Sequence, residues 1–292
     1  MKTATVHLGF HKTGSTFIQS IAHKNFRALL DNNLYFRPQI GYPAHHPQAW
    51  SILERDFSGL DKIIEEAEIA GVSDLLISSE DLESLVFRPD IAIEVAHRLL
   101  DADYDQVVFA MFVRNPGETF WSIYSEISKH VYMDGLSMLS DVLRLGYLYV
   151  ERPNSRTVKT PYWHFCFDHG THIPRFHEAL RRDRRGNQLA TRVYDYHEAD
   201  TFLGSRFFAD LGVLEAIRAL PSTGARNGRL PHDVVQANYV ERALRQLTPA
   251  VAAKLESRVR DRAMFSADER AAIASAIDKR FGVGLPRALL AA

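Results

Sequence analysis

A glycine-bracketed turn near the amino terminus limits what this chain can become. Thr5-Val6-His7-Leu8 reads as a short buried strand and runs directly into GFHKTGST at residues 9–16. Beyond the turn, Phe17, Ile18, Ile21, Phe26, Leu29 and Leu30 recur at roughly helical spacing. Strand, glycine loop and helix in that order open a phosphate-binding α/β domain, because loop amides and the helix N-terminus converge on an anion. Gly9 and Gly14 have the separation found in GxxxxGK[ST], but Ser15 stands where that motif carries lysine, and Lys12 lies inside the loop instead. From there the lysine approaches the terminal group of a bound anion, beside the hydroxyls of Thr13, Ser15 and Thr16. Glycine loops also close tight turns with no ligand, so the loop alone leaves both uses open.

Two further buried strands are expected at residues 74–79 and 106–113, and a fourth at 189–194. Helical patterns at 60–70 and 90–100 alternate with them, which implies an α/β fold with a mainly parallel central sheet flanked by helices. After Val113 the pattern turns helical, at 116–130, 136–147, 175–182, 199–210, 232–246 and 267–280, as a C-terminal elaboration. Residues 150–172 read as irregular and aromatic. With no repeat or low-complexity linker, residues 1–292 read as a single domain. The 46% hydrophobic and 24% charged residues suit a soluble globular protein. Lys and Arg number 35 against 36 Asp and Glu, and the resulting net charge of -1 removes bulk attraction to nucleic acid or to a membrane surface. The single cysteine, Cys166, rules out an internal disulfide and fits a reducing cytoplasm. No apolar run reaches the length of a membrane span, and a strand starting almost at Met1 leaves no room for a signal peptide. A soluble, cytoplasmic protein with no integral membrane span and no nucleic-acid partner is expected.

A second element closes the strand at 106–113 and continues as RNPGETFWSIYSE at residues 114–126. Asn115 suits an N-cap, Pro116 the first helical position and Glu118 a capping box. Arg114 therefore leaves the carboxyl edge of the sheet, where α/β proteins bind ligands, and Ser122 follows in the second helical turn. A guanidinium and a hydroxyl converging there make an oxyanion site. The plain alternative is an arginine paired with a carboxylate and a serine on an exposed helix face.

Together these elements resemble the sulfotransferase superfamily that uses 3′-phosphoadenosine 5′-phosphosulfate (PAPS). HKTGST resembles its 5′-phosphosulfate loop, in which lysine falls between the glycines, and Arg114 with Ser122 matches its 3′-phosphate motif, RxxxxxxxS after a strand. HLGFHKTGSTFIQS, with YFRPQIGYPAHHPQAW downstream, further resembles a bacterial branch. The resemblance implies a P-loop NTPase-like sulfotransferase fold with an acceptor-side elaboration around residues 131–175. It implies PAPS as donor, 3′,5′-adenosine bisphosphate (PAP) as product, no metal, and in-line attack by a hydroxyl of a carbohydrate, glycolipid or small metabolite. Lys12 would neutralise developing charge, the loop from His11 to Thr16 would hold the 5′ end, and Arg114 and Ser122 would hold the 3′-phosphate. His11 lines the acceptor side of that loop or simply packs. Arg226, in the basic loop at 224–229, would close over the nucleotide.

The acceptor hydroxyl needs a base. Glu80 is the first candidate, because it directly follows the strand at 74–79, the topological place of the catalytic histidine in cytosolic sulfotransferases; other branches use glutamate. Alternatively, Glu80 or Asp81 caps the following turn or pairs with Arg114 or Lys12. His45 and His46, flanked by Pro43, Ala44 and Pro47, are the second candidates and are expected on a loop. WHFCFDHGTH at 163–172 matches no standard zinc spacing and reads as an aromatic acceptor wall or as packing. The rival functions are a P-loop kinase or NTPase, which would carry lysine after Gly14, and a PAP-binding protein without transfer activity. The acceptor and the oligomeric state are not set by the sequence.

Overall fold

Five parallel strands carry the fold, in the order Leu34–Tyr35, Asp74–Ser78, Thr3–His7, Gln106–Val113 and Leu189–Asp195. In the computed structural model, residues 1–38, 41–151, 159–198, 201–217, 230–245, 247–263 and 265–282 are described. The first half of the chain runs β1 (Thr3–His7), α1 (Ser15–Lys24), α2 (Phe26–Asp31), β2 (Leu34–Tyr35), α3 (His46–Leu53), α4 (Ser58–Ile69), β3 (Asp74–Ser78), α5 (Pro89–Asp101) and β4 (Gln106–Val113). It continues through α6 (Pro116–Ile127), α7 (Gly135–Leu145), β5 (Tyr147–Glu151), β6 (Tyr162–Cys166), α8 (His169–Arg181), β7 (Leu189–Asp195), α9 (Ser205–Asp210), α10 (His232–Leu244), α11 (Pro249–Ala263) and α12 (Ala267–Phe281).

Strand side chains alternate between two covered faces, as the period of an extended chain requires. Val6, Ile77, Phe109 and Val193 enter one core with α4, α5 and α8, whereas Leu76, Ala110, Phe112 and Tyr194 pack with Ile18, Ile21 and Phe207 on the other face. A third core joins α6 to the β5–β6 hairpin, α10 and α12 through Tyr124, Phe165, Tyr239 and Ile277. The chain leaves β1 toward β2 and β3 and later crosses to β4 and β7. The strand order thus reverses at β1, and ligand crevices form at the carboxyl ends of strands flanking such a point.

Several expectations change. The stretch from 150, expected to be irregular, opens with the end of β5 and contains β6; the two strands form an antiparallel hairpin with Leu148 opposite Phe165 and Tyr149 opposite His164. The helix expected after the glycine loop breaks at Asn25 into α1 and α2. Residues 199–200 lie outside the described set, and the expected helix there is present only as α9. His46 opens a helix, α3, in place of the expected loop. No helix among the described residues is long and apolar enough to cross a membrane.

One glycine fixes the crevice. Gly9, at φ 79°, follows β1, and a Cβ added there would lie 2.6 Å from the Glu80 Cα at the end of β3. Gly9→Ala should therefore combine a left-handed backbone penalty with a backbone clash and lose more than about 2 kcal/mol of stability. Comparison of urea midpoints with wild type checks this.

Candidate functional site

The loop after β1 holds an unusual backbone. Gly9, Phe10, Lys12 and Gly14 all have positive φ, and Gly14, at 83°, caps α1 beneath Leu203 and Tyr196. Side chains fix that path. Thr13 Oγ1 donates to the carbonyls of Gly9 and Phe10, each at 2.7 Å, and Ser15 Oγ donates to the same pair at 3.1 and 3.2 Å. The two buried hydroxyls close the loop on itself, and the left-handed backbone at Phe10 and Lys12 is held in this way.

The second cationic element converges on the first. Arg114, at the end of β4, donates from Nη1 to the Lys12 carbonyl at 3.3 Å. Its guanidinium also lies 4.7 Å over the Tyr196 ring and pairs with Glu118 at 2.8 Å. Asn115 caps α6 as its sequence predicts, accepting from the Glu118 amide at 3.0 Å. Ser122 is nearly buried and donates to the Glu118 carbonyl at 3.1 Å. Lys12 reaches the same helix further along, where its Nζ lies 2.6 Å from Glu126 Oε2. Burial opposes ionisation of Glu126, but bonds from His130, Lys12 and Lys129 outweigh it and hold its carboxyl well below the usual range.

Carboxylates gather on the 3-10 helix Glu80–Val86, which directly follows β3. Glu80 pairs with neither Arg114 nor Lys12. It accepts from Gln19 Nε2 of α1 at 2.9 Å and lies 3.8 Å from His46 Nε2. Asp81, 4% exposed, accepts from the Trp50 indole on Oδ2 and from the Trp163 indole on Oδ1, both at 2.7 Å, with His46 Nδ1 3.0 Å from Oδ2. Burial works against its charge, yet His46, His11 and Trp163 keep its carboxyl below the usual range. Glu83 accepts from the His11 amide at 2.7 Å and from the Cys166 amide at 2.6 Å, and His11 Nδ1 lies 2.8 Å from it. Burial disfavours protonation of His11, but Glu83, then Asp81 and Glu80, more than compensate and raise its pKa.

The two adjacent histidines separate. His45 is 1% exposed; its ring accepts from the Ser78 amide and meets Phe36 edge-on, and burial lowers its pKa to about 4. It braces β3 from a buried position. His46 is opposed by burial, but the charge of Glu80 and the bond and charge of Asp81 raise it to about 9. This surrounding of carboxylates favours its doubly protonated form. Arg226 lies outside the described residues.

The loop after β1 thus carries one cation, paired with Glu126, and receives a second, Arg114, on its backbone, while Glu80 follows the neighbouring strand β3. Among the described residues no cluster of three His, Cys, Asp or Glu side chains could hold a metal ion. Gln19, Trp50, Asp81, Glu83, Glu126, Trp163 and Tyr196 join the site through tertiary contacts; Asp81 had a sequence signal in its adjacency to Glu80, and Trp163 one in the aromatic stretch that it opens. No protein-family model, curated protein or solved structure matches the chain. The function therefore has to be read from these residues.

The His46 pairing has a pH signature. A pKa of about 9, above the ordinary 6.5, means that its stabilisation is complete below pH 6.5 and is lost as pH rises through about 9. The Tm difference between wild type and His46→Gln should be greatest near pH 6 and shrink toward pH 10. A difference that stays constant across that window would contradict the pairing.

Proposed function

We propose that this chain is a PAPS-dependent sulfotransferase acting on a hydroxyl of a carbohydrate, glycolipid or small metabolite. One observation carries the proposal: Arg114, from the end of β4, bonds the main chain of Lys12 in the loop after β1. The arginine at the end of β4 is thereby tied to the loop that carries the lysine. A donor with phosphate at both the 3′ and 5′ positions of a single ribose would draw a cation from each of these two elements. The residues fit this ligand. Arg114 is held by Glu118 in an i,i+4 pair with a half-exposed carboxylate, worth only a few tenths of a kcal/mol and easily exchanged for a phosphate. Tyr196 supplies an aromatic face beside that guanidinium.

When bound, PAPS supplies the sulfuryl group, and PAP is the leaving group. The loop amides, at the start of α1, and Thr16 hold the 5′-phosphate. Thr13 and Ser15 keep the amides aimed. Lys12 exchanges Glu126 for the charge that develops on the bridging oxygen and the sulfuryl oxygens. Arg114 takes the 3′-phosphate together with Ser122, whose hydroxyl exchanges the Glu118 carbonyl for the anion. Glu80 takes the proton of the acceptor hydroxyl.

Thermal stabilisation tests the donor site, since a ligand that binds only the folded state contributes about 2.7 kcal/mol at one hundred times its Kd. PAP should raise Tm more than ADP or ATP with magnesium, and Arg114→Ala should remove the difference. A shift with ATP and magnesium but none with PAP would make the loop that of a kinase. With PAPS and a panel of hydroxyl acceptors, Lys12→Ala should lower turnover at least about a hundredfold while leaving the fold intact. Undiminished turnover would remove Lys12 from the mechanism.

A further inference from the structure

Asp81 is an unusual object: a buried carboxylate met by three N–H groups from two different parts of the chain. Trp50 and His46 come from α3, and Trp163 comes from β6. An indole N–H can only donate, so the two tryptophans require Asp81 to accept on both oxygens. An ionised carboxylate is acceptor-only, so the His46 Nδ1 that lies 3.0 Å from Oδ2 must carry its hydrogen. Ser79 Oγ also lies 3.0 Å from that nitrogen, but it accepts from the Asp81 amide, and a serine hydroxyl donating to a bare Nδ1 would leave two acceptors facing each other. With Nδ1 fixed in this way, Nε2 is the nitrogen turned toward Glu80, 3.8 Å from Oε2. Gln19 donates to that same oxygen, so Oε1 is left to meet an acceptor.

We infer that Asp81, braced by the indoles of Trp50 and Trp163, is a positioning residue that locks His46 with a hydrogen on each nitrogen, and that His46 in turn orients Glu80 to take the acceptor's proton. The part concerning Glu80 rests on the sulfotransferase reading; the geometry of Asp81 and His46 does not. In the transfer step the acceptor O–H bond breaks and its proton passes to Glu80 Oε1. The acceptor oxygen bonds sulfur as the bond from sulfur to the bridging oxygen breaks, and that electron pair leaves with PAP. His46 keeps both of its protons throughout. The groups facing His46 are Glu80 and Asp81 from the 3-10 helix, Trp50 from its own helix, His45 at that helix's N-cap and Tyr42 from the preceding segment. His11 Nε2 lies across Asp81, 3.9 Å from Oδ1.

Long-range proton–nitrogen NMR on the full chain with 15N-labelled histidine tests the array, with His46→Gln to assign the signal. His46 should carry hydrogen on both nitrogens at pH 7 and, above its titration, on Nδ1 alone. In Asp81→Asn its midpoint should fall by at least about one pH unit. In Trp50→Phe and Trp163→Phe, which keep a ring but remove one donor to Asp81, the midpoint should move by less. Those two variants decide the matter if Asp81→Asn does not fold. With PAPS and an acceptor, kcat of the Asp81 variant should drop about tenfold or more, while stabilisation by PAP is unchanged. Hydrogen on Nε2 alone in the neutral ring, or a midpoint that none of the three variants moves, would overturn the inference even where PAP binds normally. The expected spectra without any PAP shift would instead sink the donor reading and leave the array standing.

Discussion

The distance between two backbones governs this site. Gly9 and Glu80 follow neighbouring parallel strands, and their main chains come so close that a methyl group has no room between them. The cationic loop and the carboxylate-bearing 3-10 helix are consequently locked to each other through the register of β1 with β3. That closeness demands a contorted loop, with left-handed backbone at Phe10 and Lys12 as well as at the two glycines. The contortion is stabilised from inside by the Thr13 and Ser15 hydroxyls and from outside by Glu83, which takes both the amide and the ring of His11. Conformations of this kind persist only where the surroundings over-determine them, and here they do.

Charge around the crevice is arranged in matched sets rather than as a field of one sign. Lys12 has Glu126, Arg114 has Glu118, His46 lies between Glu80 and Asp81, and His11 lies against Glu83. Ion pairs this deep return little net stability, because desolvation offsets most of the attraction. What they deliver is geometry. The outer pair, Arg114 with Glu118, is the more exposed and the more easily exchanged; the inner groups around Asp81 and Glu83 are sealed by the hairpin through Trp163 and the Cys166 amide.

The central sheet was largely legible because its strands are short apolar runs bounded by turn residues, and four of its five strands were visible for that reason. The fifth, β2, has only two residues and no pattern of its own. The hairpin escaped because its outward positions are Tyr147, Tyr149, Tyr162 and His164, so burial alternates along it while polarity barely does. Pro43 and Pro47 suggest a loop at His46, although a proline in the first helical turn is a normal way to start a helix. Lys12, Glu80 and Arg114 could be singled out because each sits beside a recognisable strand end. Their partners could not. Glu126 lies 114 residues from Lys12, and Trp163 lies 82 residues from Asp81. No local pattern encodes such pairs; only the folded topology brings them together.

The chain has 3 tryptophans, and two of them end on the same carboxylate. The third, Trp121, donates instead to the Arg270 carbonyl beside α12. The intrinsic emission of this protein is therefore weighted toward a single buried charge. Any event that changes the field at Asp81 acts on both indoles through the bonds that hold them, so the molecule carries an optical reporter of that carboxylate, with no label attached.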